Sequence, residues 1–391
     1  KGVPLMEPAG IAHKADWHGK APTPEQIEEQ LAQLSVSPEQ RSALEAFRKD
    51  RSFNPEKNKW TKNLEPMPSV QPGTPIEYDQ ATVTDCRSAY GKALLDLAHH
   101  NKNIIASTAD LGGSVMTKWV AAELPEQHIE FGICEQNMVS ACGSISLDSF
   151  VPFCSTFGAF MSSRAKDQAR VNDINGTNVK MVSTHCGLSV GEDGPTHQSI
   201  DDMGSFLGMF NTHVCEPADP NHCDRIIRYA ATHYGNFYVR MGRHKLPTLT
   251  KEDGSIFYDK NYKYEYGKCD LYRSGNDVTI VASGPMVDEA QKAREASGVD
   301  AEIVIASSPK QFDDVLKKSL QKTGKVLVVE DHNGLSGFAS QVAFYALREG
   351  ISLQKIIDIS PKEYQLSGKP AELYDSARIG KKAITEALQK L

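Results

Sequence analysis

The 391-residue sequence lacks several patterns that are typical of large protein classes. No run of apolar residues approaches the ~18 that span a bilayer, and no signal peptide is visible. The eight cysteines form no CxxC pair, and the twelve histidines show no HxH or HxxxH spacing. The dinucleotide fingerprint GxGxxG does not occur either. These absences argue against a membrane protein, a disulfide scaffold, a clustered zinc site and a dinucleotide-binding domain.

The composition is that of a globular protein. Apolar residues make up 40% and charged residues 24% of the chain, and the net charge of -7 argues against nucleic acid as the main partner. Cys134, Cys142 and Cys154 lie in apolar runs, so we expect buried free thiols and a cytoplasmic protein. The length suits two α/β domains and a tail.

Residues 1–80 are polar and contain two predicted helices. Thr23-Pro-Glu-Gln resembles a helix cap, which predicts a helix over 24–34, and a second helix is predicted over 38–49. The four prolines between Asn54 and Thr74 indicate a linker. The chain opens on Lys1 in mid-phrase, so we expect further residues upstream in the natural protein.

From about residue 81, short apolar runs alternate with helical ones. The strands predicted first are 103–107, 128–131, 151–154, 179–184 and 237–240, with helices over 85–99, 136–147 and 164–173. After the charged stretch 251–268, strands are predicted over 278–282, 301–306, 325–330 and 356–359, with helices over 337–348 and 381–391. This alternation predicts two mostly parallel α/β sheets, in domains of residues 81–250 and 260–391.

Glu135 stands out in the phrase Gly132-Ile-Cys-Glu-Gln-Asn-Met138. It follows a predicted strand, so it lies near a carboxyl end, where open α/β sheets build their sites. A simpler alternative is an acid favoured by the dipole of the helix that follows. The spacing alone leaves both open.

Two further phrases carry candidate binding residues. Phe157 and Phe160 are three residues apart, so both lie on one face of a helix, where they could stack on a flat heterocycle or belong to the core. The phrase from Ser183 to His197 contains three glycines, His185 and Asp193. A loop of this kind is suited to a polyhydroxylated ligand, with a metal site as the rival interpretation.

Together these phrases resemble the transketolase family. The order and gaps of Gly132–Met138, Cys154-Ser-Thr-Phe157 and Thr184–His197 match, and the phrases Val329–His332 and Ser367–Leu373 resemble the family's C-terminal domain. The stretches that open on Lys1 and Asp16 resemble the end of its diphosphate-binding domain, so residues 1–80 are interpreted as a remnant of that domain plus the linker.

The resemblance implies thiamine diphosphate as the cofactor. Glu135 matches the acid that hydrogen-bonds the aminopyrimidine ring, Phe157 and Phe160 match the aromatic wall, and Leu111 matches an apolar contact. Asp110 lies beside Leu111, near the expected subunit interface. His18 resembles a histidine near the diphosphate.

The resemblance also implies a sugar-phosphate site. His185 and His197 resemble histidines of the sugar channel that would move protons, since imidazole titrates near the working pH. Asp193 resembles a carboxylate that binds a sugar hydroxyl. A phosphate anchor is implied for Arg87, Ser114 and Arg243, because guanidinium groups suit a phosphate; each arginine could also be an ordinary surface ion pair.

Two features depart from the family pattern. Met161-Ser-Ser163 stands where many relatives carry another aromatic, which implies weaker stacking. The Gly-Asp-Gly motif with its downstream asparagine, which binds Mg²⁺ and the diphosphate, is absent, so we expect those ligands in a missing N-terminal segment or subunit.

The implied reaction is reversible transfer of a two-carbon ketol unit from a ketose phosphate, such as xylulose 5-phosphate, to an aldose phosphate. The cofactor is the electron sink. The resemblance further implies a homodimer with its active sites between subunits. Two alternatives remain: a related thiamine enzyme such as deoxyxylulose-phosphate synthase, and a non-catalytic partner subunit of a split enzyme.

Overall fold

A computed structural model describes residues 21–33, 36–50 and 68–391. Contacts between residues divide the chain into two units, residues 1–63 and 64–391. His18 and residues 54–67 of the predicted linker lie outside the described residues.

The described part of the first unit contains two short helices with matching caps. Helix α1 spans Pro24–Gln33 and α2 spans Pro38–Asp50. The Thr23 hydroxyl accepts the Gln26 N–H at 3.3 Å, and the Gln26 side chain accepts the Thr23 N–H at 2.9 Å. Ser37 and Gln40 repeat the arrangement before α2. These reciprocal bonds satisfy N–H groups that a helix leaves free at its start, and they confirm both predicted helices.

The second unit begins with a parallel sheet of six strands. Its strands lie in the spatial order β3-β2-β4-β5-β7-β6, and a separate antiparallel pair, β1 and β8, lies beside it. The strands are β1 (Val83–Thr84), β2 (Ile104–Thr108), β3 (His128–Glu130), β4 (Val151–Phe157), β5 (Lys180–Thr184), β6 (Thr212–Cys215), β7 (Asn236–Arg240) and β8 (Leu246–Pro247).

Helices cover both faces of this sheet. They are α3 (Cys86–His100), α4 (Lys118–Glu123), α5 (Glu135–Leu147), α6 (Gly158–Ser163), α7 (Lys166–Asn175), α8 (Asp202–Leu207) and α9 (Pro220–Thr232), with short 3₁₀ turns at Pro125–Gln127 and Leu188–Asp193. One core layer packs α3 and α9 against strands β2, β4, β5 and β7, and the other packs α5 to α8 on the opposite face. Strands β2, β4, β5 and β7 are fully buried and β6 nearly so because helices lie on either side, whereas the edge strand β3 is only partly buried.

A second, five-stranded sheet follows, in the spatial order β13-β12-β10-β11-β9. Only β9 runs antiparallel to its neighbour. Its elements are β9 (Cys269–Arg273), β10 (Val278–Ala282), α10 (Met286–Ser297), β11 (Ala301–Ala306), α11 (Asp314–Thr323), β12 (Lys325–Val329), α12 (Phe338–Arg348), β13 (Lys355–Ile359), α13 (Pro370–Ser376) and α14 (Lys381–Leu388). The predicted fold class, two mostly parallel α/β sheets, is confirmed.

Residues 68–80 adopt irregular structure that is fixed to the six-stranded sheet's helices. Arg228 of α9 donates to the Pro72 carbonyl at 2.6 Å, and Asn221 exchanges two hydrogen bonds with the backbone of Tyr78, at 2.8 and 2.9 Å. The end of the predicted linker, residues 68–74, therefore follows the surface of the domain instead of spanning open solvent.

A buried lysine ties the amino end of β5 to the loop before β7. The Lys180 ammonium donates to Asn178 Oδ1 at 2.6 Å and to the carbonyls of His233 and Gly235 at 2.8 Å. Its side chain is fully buried, and burial lowers its pKa well below the usual range. Three acceptors match the three N–H bonds of an ammonium group, so the site is satisfied as it stands.

The cysteines are free, and most are buried as expected. Cys142 and Cys154 lie in the core, but Cys134 is exposed, so the prediction that it is buried was wrong. It precedes α5 in a loop at the sheet edge, where an apolar sequence context does not lead to burial. Among the described residues, every helix is too short or too polar to cross a membrane.

Candidate functional site

The predicted site residues gather at the carboxyl edge of the six-stranded sheet. Leu111 follows β2, Glu135 follows β3, Phe157 ends β4, and His185 follows β5. Strands β2 and β4 are neighbours although β3 lies between them in sequence. The order in which the chain adds strands to the sheet therefore reverses between β2 and β4. Open parallel sheets bind ligands at such a reversal.

Glu135 lies in a slot of about 200 Å³ at this edge. The residue is only 2% exposed, although it is the first residue of α5. Both interpretations of its position therefore hold: it begins a helix, and it is enclosed in a cavity. The slot is lined by Ala109, Asp110, Leu111, Ile133, Glu135, Phe160 and Arg164.

Arg164 is a site residue to which sequence reasoning gave no role. Its Nη1 donates to Glu135 Oε1 at 2.7 Å, and its guanidinium carbon lies 3.9 Å from the centre of the Phe160 ring. Arg164 lies four residues after Phe160, just beyond α6, so the two side chains can meet on one side of that helix. That spacing is the only signal for the contact in the sequence.

The two phenylalanines face each other, but not as neighbours on one helix. Phe157 is the last residue of β4, while Phe160 belongs to α6. Their ring centres are 5.5 Å apart at 23°, and Phe157 also stacks on His185 at 3.8 Å. The expectation of a shared helical face was wrong because the strand runs on to Phe157. The expectation that the rings lie together is confirmed.

His185 is buried and carries a defined pattern of hydrogen bonds. Arg87 Nη1, which can only donate, lies 3.4 Å from His185 Nε2, and Thr184 Oγ1 lies 2.8 Å from Nδ1. The neutral ring therefore carries its proton on Nδ1. Burial, with the charges of Arg87, Arg243 and His197, lowers the pKa of His185 to about 3. The expectation that His185 titrates near the working pH was wrong.

The loop after β5 brings His197 back to the same aromatic group. Its ring centre lies 5.2 Å from that of Phe160 and 6.1 Å from that of Phe157, both in edge-to-face arrangement. Its Nδ1 lies 2.9 Å from Thr196 Oγ1. His185 and His197, twelve residues apart in the sequence, thus both pack against the phenylalanine pair.

The two arginines of the expected phosphate anchor already have partners. Arg87 binds Asp85 Oδ1 at 3.1 Å and donates to the Ser114 carbonyl at 3.2 Å, so Ser114 contacts it through its backbone. Arg243 donates to the Val190 carbonyl at 2.9 Å and lies 3.6 Å from Asp193 Oδ2. Asp193 itself is exposed. Each of these arginines therefore faces a carboxylate, as the alternative of an ordinary ion pair expected.

Asp110 depends on a carboxylate that sequence reasoning missed. Its backbone has a positive φ of 59°, and its N–H donates to Glu130 Oε1 at 2.7 Å. The same oxygen accepts the Gly132 N–H at 2.9 Å. Glu130, the last residue of β3, thereby joins the loops that carry Leu111 and Glu135.

The departure from the family pattern at Met161-Ser-Ser163 is also visible. Ser163 is exposed and its hydroxyl bonds the Ala159 carbonyl, so it supplies no ring surface to the slot. Among residues 21–33, 36–50 and 68–391, no three His, Cys, Asp or Glu side chains cluster in a way that could hold a metal ion. A larger cavity of about 630 Å³ lies elsewhere, between Ile200–Asp201 and the ends of β12 and β13. It contains none of the predicted site residues.

Comparison with known proteins gives the family. Two family models match, the transketolase pyrimidine-binding domain over residues 83–248 and the transketolase C-terminal domain over residues 267–384. A putative transketolase C-terminal section of Methanocaldococcus jannaschii is 34% identical over 295 residues, which are 73% of this chain and 90% of that protein. This chain belongs to the transketolase family.

Full-length members of the family extend well beyond the matched region. Mouse transketolase is 31% identical over 391 aligned residues, which cover 98% of this chain but 59% of the relative. The chain thus spans about three fifths of the curated transketolase that it matches.

Solved members of the family share the fold. A split-gene transketolase solved as an inactive β4 tetramer is 30% identical, with a TM-score of 0.69, and the match covers 79% of this chain and 98% of that one. Transketolase of Campylobacter jejuni has the same TM-score of 0.69 over 93% of this chain and 55% of its own, but at 21% identity it shows the fold alone.

Proposed function

We propose that this chain forms the pyrimidine-binding and C-terminal part of a thiamine-diphosphate-dependent transketolase. The enzyme transfers a two-carbon ketol unit reversibly from a ketose phosphate to an aldose phosphate. The observation that carries this proposal is the burial of Glu135 in a slot beside Phe160, within a chain of the transketolase family. The proposed domains are residues 81–250 and 260–391, with residues 1–80 as the end of a diphosphate-binding domain and a linker.

The slot fits a flat heteroaromatic ring. Phe160 offers a ring face, Leu111 and Ile133 are apolar, and Glu135 offers a carboxylate at one end. When bound, thiamine diphosphate would supply the electron sink for cleavage of a carbon–carbon bond. In this proposal Glu135 holds a proton at a ring nitrogen of the aminopyrimidine, and Phe160 fixes the plane of that ring.

His185 contributes to sugar binding as a neutral ring. Because its pKa lies near 3 and its Nδ1 proton is donated to Thr184, Nε2 is the acceptor of the ring; in this proposal a sugar hydroxyl takes the place of Arg87 Nη1, which now lies 3.4 Å from it. It does not act as an acid. His197, which packs against the same phenylalanine pair, remains the candidate for proton movement at the sugar oxygens.

Arg87 and Arg243 remain the proposed phosphate anchor, with Ser114. Both guanidinium groups lie close enough to His185 to lower its pKa, so positive charge converges on one region. A sugar phosphate would replace the carboxylates that Arg243 now faces, Glu192 at 3.8 Å and Asp193 at 3.6 Å. Freed from Arg243, Asp193 could accept a hydrogen bond from a sugar hydroxyl.

The proposed enzyme needs a second protein segment. The described residues offer no cluster for Mg²⁺, so we propose that the metal and the diphosphate are held by a diphosphate-binding segment or subunit. The carboxyl edge would face that segment, in a homodimer whose sites lie between subunits, and the proposed location is the cytoplasm.

The test is ketol transfer by this chain assembled with its diphosphate-binding segment. Glu135→Ala should abolish transfer from xylulose 5-phosphate while the protein stays folded by circular dichroism. Glu126→Ala is the matched control, since Glu126 is exposed and precedes β3 at the opposite edge of the sheet. Activity above a few per cent in Glu135→Ala would contradict the proposed role.

The same assembly separates the alternatives. Pyruvate with a triose phosphate tests for deoxyxylulose-phosphate synthase, and product from that pair but not from xylulose 5-phosphate would replace the present proposal. Calorimetry with thiamine diphosphate and Mg²⁺ on this chain alone and on the assembly tests the non-catalytic alternative. An assembly that binds no cofactor would identify the chain as a partner subunit.

A further inference from the structure

The loop that joins β5 to α8 forms several hydrogen bonds with loops of the C-terminal domain. The Leu188 N–H donates to Asp331 Oδ1 at 2.9 Å. Gln198 and Gln365 exchange two hydrogen bonds, in which Gln198 Nε2 donates to the Gln365 carbonyl at 2.9 Å and the Gln365 N–H donates to Gln198 Oε1 at 2.8 Å. This loop carries Asp193 and His197, so the second domain takes part in fixing where those side chains lie.

Further contacts of the same kind lie along the loop. The Ser367 hydroxyl donates to the Glu192 carbonyl at 2.6 Å. Asn333 donates twice to the Ile200 carbonyl, from its N–H at 2.8 Å and from Nδ2 at 2.7 Å. The loop is therefore fixed near its start, its middle and its end by residues more than 130 positions away in the chain.

Asp331 is the most enclosed of these contacts. It is 1% exposed, and its second oxygen accepts the Tyr374 hydroxyl at 2.8 Å. Gly187 packs directly on the carboxylate, since a Cβ at that position would lie 2.1 Å from Asp331 Oδ2. Gly187 also has a φ of +76°, which favours glycine. At Gly187, just after β5, the loop thus has a backbone conformation that leaves room for the Asp331 carboxylate.

A buried arginine connects Asp331 to the far end of the loop. Arg240 at the end of β7 donates through Nη2 to the carbonyls of Asp331 and Ser199, both at 3.2 Å. It is 1% exposed and is paired with Asp202 and Glu216. Buried groups of this kind have few alternative arrangements, because each loses a partner if it moves.

We propose that Asp331 is a positioning residue that fixes the Gly187–His197 loop for sugar-phosphate binding. It touches neither cofactor nor substrate; it holds the backbone from which Asp193 and His197 project. The C-terminal domain therefore sets affinity for the sugar while leaving the Glu135 slot unchanged. The effect on sugar binding rests on the proposed function, whereas the hydrogen bonds that fix the loop are present in the chain itself.

The test compares Asp331→Asn with Asp358→Asn in the assembled enzyme. Asparagine keeps the shape but removes one of the two oxygens that accept from Leu188 and Tyr374. Asp358 is the control, because it lies in β13 of the same domain and binds Ser360 and Lys362 but not the loop. Asp331→Asn should raise KM for the ketose phosphate about tenfold or more and lower kcat through His197, with the Kd of thiamine diphosphate within about twofold.

A merely structural role would weaken cofactor binding as much as sugar binding and lower the melting temperature in proportion. Tyr374→Phe removes only one hydrogen bond to the carboxylate, so it is a milder variant that keeps the fold. It should raise KM in the same direction by a smaller factor. An unchanged KM in both variants, or equal losses in KM and cofactor Kd, would overturn the proposal.

Hydrogen–deuterium exchange separates this inference from the proposed function. In the chain as it is, Asp331→Asn should speed exchange of residues 187–200 at least several-fold, with β4 and β5 unchanged and Asp358→Asn like the wild type. If the wild-type assembly is inactive, the proposed function fails and exchange alone decides the role of Asp331. Wild-type exchange rates in the variant would then refute it.

Discussion

Arg164 donates to Glu135 at 2.7 Å while its guanidinium carbon lies 3.9 Å from the centre of the Phe160 ring. The flat guanidinium group thus stacks on the Phe160 ring and binds the Glu135 carboxylate. The proposed function assigns these same two contacts to the aminopyrimidine. Both groups cannot occupy them together. Arg164 therefore has to leave the slot, or shift within it, when the cofactor binds.

The Arg164–Glu135 pair should show energetic coupling in the cofactor-free chain. Arg164→Leu leaves a buried carboxylate without its cation, so we expect a loss of about 1 kcal/mol in the free energy of unfolding, a modest figure because Arg164 is 42% exposed. In the double variant with Glu135→Gln, Arg164→Leu should cost little. Urea unfolding of the four proteins measures the coupling.

Arg170→Leu provides the control for that cycle. Arg170 lies in the next helix, α7, and is exposed, so its effect should be the same with Glu135 or with Gln at that position. Additive effects for Arg164 and Glu135 would mean that the ion pair contributes nothing to stability.

Stability should fall on acidification because of buried histidines. Burial lowers the pKa values of His185 and His222 to about 3 and those of His244 and His332 to about 4, against about 6.5 in the unfolded chain. The pKa values of these histidines are lower in the folded chain than in the unfolded chain. The stability that the neutral rings contribute is therefore complete above pH 6.5 and is lost as the pH falls toward 4. Each histidine contributes up to about 1.4 kcal/mol per pH unit.

His222→Gln tests this effect away from the site. His222 stacks on Tyr258 at 4.0 Å and accepts the Ala218 N–H through Nδ1 at 3.3 Å. The melting temperature of His222→Gln should fall less steeply between pH 7 and pH 5 than that of the wild type. His100→Gln, an exposed position in α3, is the control, and a wild-type slope in His222→Gln would contradict the assignment.

Glu330 should act in the opposite direction at higher pH. Burial, together with the nearby Glu216, raises its pKa to about 8, although the N–H groups of Phe338 and Ala339 donate to it. A raised carboxyl pKa gives stability that is complete below about pH 4.5 and is lost as the pH rises toward 8. Between pH 6.5 and 8 the buried histidines no longer change the stability, so the loss of stability caused by Glu330 should appear in that range.

Glu330→Gln should flatten the melting temperature between pH 6.5 and pH 8. The amide cannot ionise, so no proton has to leave the buried site. Glu363→Gln is the exposed control in the same domain. A wild-type decline in Glu330→Gln would assign the titration to another group.

Lys180→Met should destabilise the first sheet strongly. The ammonium satisfies Asn178 Oδ1 and the carbonyls of His233 and Gly235, and methionine leaves these acceptors without a donor. We expect a loss of about 2–4 kcal/mol in the free energy of unfolding by urea titration. Lys251→Met, at a half-exposed lysine, should change it by less than about 0.5 kcal/mol. A loss below about 1 kcal/mol for Lys180→Met would show that water replaces the ammonium.

Much of the framework could be predicted from the sequence because its strands are short apolar runs with clear ends. Strands β10 and β11 have the predicted bounds, and Glu135 lies where the phrase around it suggested. Helix α9 gave no such signal, since its buried face includes Asn221, Asp224 and Arg228, polar residues whose partners lie in distant segments.

The site could be predicted only where one phrase carries it. Three contacts depend on the directions of side chains that are far apart in the sequence. Phe157 stacks on His185 across 28 positions, Arg164 binds Glu135 across 29, and Asp331 accepts from Leu188 across 143. No local pattern encodes such pairs. The tautomer and low pKa of His185 depend likewise on Arg87, almost a hundred residues earlier.

Ile133 lines the Glu135 slot and is 70% exposed. An apolar side chain left open at the mouth of the slot suits a surface that another polypeptide covers. Under the proposed function, that covering completes the cofactor site, so assembly and cofactor binding become one linked equilibrium. The apparent affinity for thiamine diphosphate should then strengthen with protein concentration, and dilution should release the cofactor even when its own concentration is held constant.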